Sequence, residues 1–94
     1  MQKVIISELI PTNGRKSFGH KAKLIYNPDN RAHYLRSYDT TMAGYIKGKI
    51  HRYSDYESNT TATHLRAFFD NCGVSMTIKE FYALKCEKCP ALAT

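Results

Sequence analysis

The chain lacks long apolar runs: nothing in its 94 residues approaches the roughly 18 consecutive apolar positions that a membrane-spanning helix requires. The opening Met-Gln-Lys-Val-Ile-Ile-Ser-Glu is also too short an apolar stretch for a secretory leader, so a soluble, cytoplasmic protein is expected. Cysteine is sparse and odd in number, three residues in a chain with no export signal, which argues against a disulfide framework and for reduced thiols. Low-complexity tracts are missing, and disorder is expected only in the C-terminal tail. No glycine-rich phosphate loop follows a strand, and no pair of carboxylates stands at convincing spacing, so nucleotide binding lacks a sequence basis.

What is present suffices for one domain, residues 1–94, near the lower size limit for a single apolar core. Hydrophobic residues make up 43% of the chain, with four Phe and seven Tyr, an ordinary share for a folded globule. The charge is uneven. Residues 1–56 carry ten Lys and Arg against four Asp and Glu, a net of +6, whereas residues 57–94 carry four of each and sum to zero. A field of one sign on one half favours an anionic partner, nucleic acid or an acidic protein surface. Solubility alone is the competing explanation.

The apolar periodicity places the basic half in a sheet and the neutral half in helices. Val4, Ile5 and Ile6 open a strand over residues 3–10, closed by Pro11 and Thr12-Asn13-Gly14. A basic loop, 15–20, leads into a strand over 21–26 with Ala22, Leu24 and Tyr26 on one face and Lys21, Lys23 and Ile25 on the other. Asn27-Pro28-Asp29-Asn30 is a turn, because proline presets the second turn position and Asn or Asp tolerates the next. The return strand, 32–38, sets His33, Leu35 and Ser37 against Tyr34, Arg36 and Tyr38. After a connection at Asp39-Thr40, Thr41 to Ile46 pairs through Lys47-Gly48 with Lys49 to Tyr53.

Beyond residue 56 the spacing changes to that of a helix. Leu65, Phe68, Phe69 and Cys72 recur at three and four, Ser58 or Thr60 is the N-cap, and Gly73 ends the helix, giving a range of about 59–72. Thr77 and Glu80 have capping-box spacing and open a second helix, about 77–84, with 85–94 as a tail. Four or five antiparallel strands over about 3–53, followed by two amphipathic helices, bury their apolar faces against each other in a two-layer α+β fold.

Three groups of residues are candidate sites. Tyr34, Arg36 and Tyr38 share a strand face, with Lys21, Lys23, Lys49 and Arg52 on neighbouring strands. Rings and cations of this kind stack bases and follow phosphates, anchor protein interfaces, or merely reflect the strand preference of tyrosine. Cys86-Glu87-Lys88-Cys89 has the spacing of half a tetrahedral zinc site, but a full site needs Cys72 and a histidine such as His64 to converge. Free thiols are the expectation, with no metal and no cofactor. His64 is the best general-base candidate, yet its place one turn before Phe68 predicts a ring bordering the core, hydrogen-bonded to a strand carbonyl or to Asp39. A nucleophile–base–acid set from Ser37, His64 and Asp39 has no support in spacing.

Three blocks in order resemble a family of small uncharacterised proteins of bacteria, phages and mobile elements. They are Ile10 to Phe18 (IPTNGRKSF), Leu35 to Thr40 (LRSYDT), and Tyr56 to Thr61 with His64 to Phe68 (YESNTT and HLRAF). The likeness spans roughly residues 8–73. Glu57, between Tyr56 and Ser58, and the cysteine-bearing tail depart from the pattern. The resemblance implies no reaction. It implies an accessory protein, in a setting where small binders that block host defence nucleases, including anti-CRISPR proteins, are common.

The resulting expectation is a non-enzymatic module that grips a macromolecular partner, a host defence nuclease or its nucleoprotein complex, by steric and electrostatic block. Direct nucleic-acid binding through the same basic, tyrosine-bearing face is the alternative. No membrane partner is expected. The exposed edges of a small meander offer a route to a homodimer by pairing across an outer strand.

Overall fold

The computed structural model describes residues 4–9, 18 and 21–88. The elements follow in the order β1 (Ile5–Glu8), β2 (Ala22–Asn27), β3 (Ala32–Ser37), β4 (Thr40–Ile46), β5 (Lys49–Arg52), α1 (Asn59–Cys72) and α2 (Ile78–Ala83). The strands form one antiparallel sheet in which sequence neighbours are spatial neighbours, β1-β2-β3-β4-β5. The expected α+β architecture is therefore what the chain adopts, with five strands among the described residues.

Local chemistry explains the turns. Asn27 Oδ1 accepts from the Asp29 amide at 3.0 Å and Asn30 Oδ1 from the Ala32 amide at 3.1 Å, so two side chains hold the β2–β3 turn. The β4–β5 turn places Lys47 at φ 52° and Gly48 at φ 80°, the paired positive angles whose twist matches a two-residue hairpin. The β3–β4 connection falls on Tyr38 and Asp39, one residue earlier than the sequence suggests, with Tyr38 at φ 55°. Register slips between Leu35 and Arg36, where Met42 is the extra residue on β4.

Helix α1 has its N-cap at Ser58, whose Oγ accepts from the Thr61 amide at 3.0 Å. It ends at Gly73, at φ 71°, where the Gly73 and Val74 amides donate back to Asp70 and Phe69 carbonyls. Thr77 and Glu80 complete the capping box of α2 reciprocally at 3.0 Å each way.

Leu65, Phe68 and Phe69 are buried with Leu35, Met42, Ala43 and Phe81 in the core between helices and sheet. Helix α1 lies over β3, the middle strand, and α2 rests on β5. The opposite sheet face has a smaller cluster of Ile25, Ala32 and Tyr34, flanked by Val4, Ile46 and Tyr53. Gly44 makes this possible. A Cβ there would stand 2.9 Å from the Tyr53 hydroxyl and 3.0 Å from Tyr34 Cδ1, so only glycine lets both rings lie against the strand.

The two outer edges differ. Segment 84–88 covers β5: Cys86 bridges to Arg52, the Glu87 amide donates to the Arg52 carbonyl at 2.7 Å, and His51 Nδ1 meets Glu87 Oε2 at 2.7 Å. These contacts correct the expectation of a free tail as far as residue 88. Residues 89–94, and the basic loop apart from Phe18, lie outside the described residues.

Candidate functional site

The seven residues proposed from sequence do not form one surface. Tyr34 is only 1% exposed, roofed by Tyr53, whose ring centroid is 6.2 Å away. Strand alternation assigned it correctly to the face away from the helices, but the second cluster on that face takes its ring out of solvent. Tyr38 leaves the face altogether. Its positive φ interrupts the alternation, and its half-exposed ring lies 6.0 Å from the His64 ring, toward α1.

Arg52 is 8% exposed and belongs to the helix side. Its Nε donates to the Leu84 carbonyl at 2.8 Å, Nη2 donates to the same oxygen, and Nη1 reaches the Ser54 carbonyl at 3.2 Å and Asp55 Oδ1 at 2.5 Å. The guanidinium thereby fastens the end of α2 to β5, a structural use of a cation that the sequence placed with the partner-binding set. Lys49 is exposed, but it pairs with Ile46 beside the β4–β5 turn, at the other end of the sheet from Lys21 and Lys23.

Lys21, Lys23 and Arg36 remain together. Lys23 and Arg36 are register partners across β2 and β3, so their side chains leave the same face, and exposed Lys21 precedes β2 with its carbonyl accepting from the Tyr38 amide at 2.7 Å. Thr41 is the register partner of Arg36 on β4, and Glu8 that of Lys23 on β1. The Arg36 Nε atom is buried without a hydrogen-bond partner. Neither lysine nor Arg36 enters an ion pair among the described residues. Like charges directly opposite on neighbouring strands repel, so the Lys23–Arg36 pairing is itself unfavourable, with Glu8 offsetting it from the other side of Lys23.

The nucleophile-like pair has the opposite character. Ser37 Oγ and His64 Nδ1 are 2.8 Å apart, but Ser37 is 3% and His64 1% exposed. Phe18 meets the imidazole edge-on, ring centroids 4.7 Å apart. The described partner of Nδ1 is thus a serine hydroxyl, not Asp39, which is exposed in the β3–β4 turn. A hydroxyl sealed in this way reaches no substrate, and the pair closes the seam between β3 and α1. Sequence reasoning named both residues without foreseeing their contact, because 27 positions separate them.

Among the cysteines, Cys72 is half-buried and burial pushes its thiol up to about 11, which disfavours the thiolate a metal would need. Cys86 is exposed beside β5, and Cys89 lies outside the described residues. The described residues contain no cluster of three or more His, Cys, Asp or Glu able to hold a metal. No helix among them is long and apolar enough to cross a membrane.

Residues 7–83 match a family of unknown function, DUF8033. The chain belongs to the DUF8033 family. The match takes in all of the sheet from β2 onward, both helices and the Lys21, Lys23 and Arg36 cluster. No curated protein and no solved structure matches the chain.

Proposed function

We propose that this DUF8033 protein is a non-enzymatic binding module that seats the basic end of its sheet on a macromolecular partner. The observation that carries this reading is the Lys21, Lys23 and Arg36 cluster, three cations without ion pairs among the described residues, two of them directly opposed. The direct opposition of Lys23 and Arg36 is unfavourable in the free protein, offset only on one side by Glu8 across from Lys23, and an anionic surface would relieve it. The sealed Ser37–His64 pair supports action without catalysis.

The sequence resemblance to small phage and mobile-element proteins directs attention to one partner class, a nuclease of a host defence system or its nucleoprotein complex. Occupying such a surface needs only shape and charge. The test is a cleavage assay in which the purified protein is added to a reconstituted RNA-guided nuclease. Slower cleavage that weakens with salt and disappears in Lys21→Glu/Lys23→Glu is expected; unchanged cleavage across a panel of such nucleases would remove this partner class.

Direct nucleic-acid binding is the second reading, favoured by the cations Lys23 and Arg36 standing opposite each other on neighbouring strands. Burial of Tyr34 and the turning away of Tyr38 take from it the stacking platforms that sequence suggested. Anisotropy titrations with single- and double-stranded oligonucleotides separate the two: steeply salt-dependent binding below about 1 μM at physiological salt would favour nucleic acid.

A further inference from the structure

The guanidinium of Arg36 is in an unusual position for a folded protein. Buried polar atoms almost always have hydrogen-bond partners, and an arginine Nε–H without one forgoes one charge-assisted hydrogen bond. Here Nε is removed from water and bonds to nothing, while the partner residue across the strand pair is another cation, Lys23. An oxyanion admitted beside the guanidinium, with the cover of Nε displaced, and shared with the Lys23 ammonium would satisfy the first and screen the second, while Glu8 faces Lys23 only from β1.

We propose that Arg36, with Lys23 beside it, forms a binding site for a phosphate group. A tetrahedral phosphate directs oxygens toward donors on two adjacent strands, whereas a carboxylate presents two coplanar oxygens that a single guanidinium fork already occupies. Thr41, the register partner of Arg36 on β4, sets a hydroxyl-bearing residue on the third strand. Glu8, opposite Lys23 on β1, is the acid of this row and opposes the anion. The inference deepens the reading of the basic end as a contact surface by naming the group it holds, and it rests on that reading only for the identity of the larger partner.

The experiment is an NMR titration of the arginine Nε–Hε resonances at constant ionic strength, with inorganic phosphate, a short oligothymidylate and acetate as separate probes. The Arg36 signal is expected to shift saturably with phosphate. The same response to oligothymidylate assigns the source to a nucleic-acid backbone, and a response to inorganic phosphate alone assigns it to free phosphate. An equal response to acetate, or no saturable shift with either phosphate probe, overturns the site.

Arg36→Lys keeps the charge and loses the fork, so phosphate affinity should fall about tenfold, as for removal of a charge-assisted bidentate contact. Lys49→Gln, at the far end of the sheet, should change it less than about twofold, and Glu8→Gln should raise it. Arg36→Met reads the other side of the argument: without phosphate its melting temperature should equal or exceed that of the parent. A fall of several degrees would show Arg36 to be a structural residue and overturn the proposal.

Failure of the site and failure of the surface reading are distinguishable. Charge reversal at Lys21 and Lys23 that abolishes nuclease inhibition, with no phosphate shift in the parent, keeps the surface and removes the site. A saturable phosphate shift with inhibition indifferent to those charges does the reverse.

Discussion

Ser37 Oγ and His64 Nδ1 are joined by a 2.8 Å hydrogen bond in the buried seam between the middle strand and the long helix. The bond orients a polar ring at the edge of an otherwise apolar interface, with Phe18 against it. Ser37→Ala strands one ring nitrogen away from water. The expected loss is about 1–3 kcal/mol, the usual cost of an orphaned buried polar group. A thermal melt checks this, since each kcal/mol moves the midpoint of a domain this size by about 4–8 °C. An unchanged midpoint would mean that the bond contributes nothing to docking of α1.

The close approach of Tyr53 and Tyr34 to Gly44 gives a second test. Gly44→Ala places a methyl carbon 2.9 Å from the Tyr53 hydroxyl and 3.0 Å from Tyr34 Cδ1, closer than van der Waals contact allows. Overpacking of this kind costs about 1–3 kcal/mol. Removing the obstructing ring should make the change cheaper, so Gly44→Ala in a Tyr53→Ala background is expected to destabilise less than in the parent. Additive losses in chemical denaturation would show that the rings do not share this space.

The Arg52 side chain holds segment 84–88 and the end of α2 through the Leu84 carbonyl rather than through its ion pair, since Asp55 is largely exposed. Arg52→Met should therefore destabilise the protein, while Asp55→Asn should have a small effect. Losing hydrogen bonds from a charged donor costs about 1.5–3 kcal/mol. Hydrogen exchange gives the more specific readout: the Glu87 amide, bonded to the Arg52 carbonyl, should lose protection in Arg52→Met before the β2–β3 pair does.

Acid should act on the α2 cap. The Thr77 amide and hydroxyl, both bonded within the capping box, hold the Glu80 carboxyl below the usual glutamate range. A group depressed in the folded state stabilises above its unfolded pKa, and that contribution is lost as pH falls through the lower folded value. The Glu80 carboxyl carbon, followed by NMR, should titrate below a peptide glutamate, and Thr77→Ala, which removes the hydroxyl but keeps the amide that is the larger cause, should move it only part of the way back. A full return to ordinary titration in the variant would show that the amide does not hold the carboxylate.

Cys72 obeys the opposite rule. Burial raises its thiol from 9.0 to about 11, so stability attached to the neutral thiol is full below the unfolded value and declines as pH climbs toward the folded one. In a Cys89→Ser background, iodoacetamide at mildly alkaline pH should modify exposed Cys86 well before half-buried Cys72. Equal rates would show that the C-terminal end of α1 opens readily.

Much of the fold was readable because its signals are local. Ser58, Gly73, Thr77 with Glu80, and Lys47-Gly48 each specify a backbone event within four residues, and each does so in the structure. Alternation correctly separated Leu35 and Ser37 from Tyr34 and Arg36. The candidate surface was less readable. Alternation gives the face of a side chain but not its cover, and Tyr34 faces away from the helices yet is buried.

The order of elements, the capped ends and the two-layer α+β plan were settled by the sequence, since periodicity and the preferences of glycine, proline and hydroxyl side chains operate over a few bonds. Which cations stay unpaired was decided only by tertiary structure. A bulge at Leu35 and Arg36, a positive φ at Tyr38, and a carbonyl 32 residues distant that captures Arg52 divide seven candidates into buried, structural and available. Those outcomes depend on contacts between distant segments, and no local preference contains them.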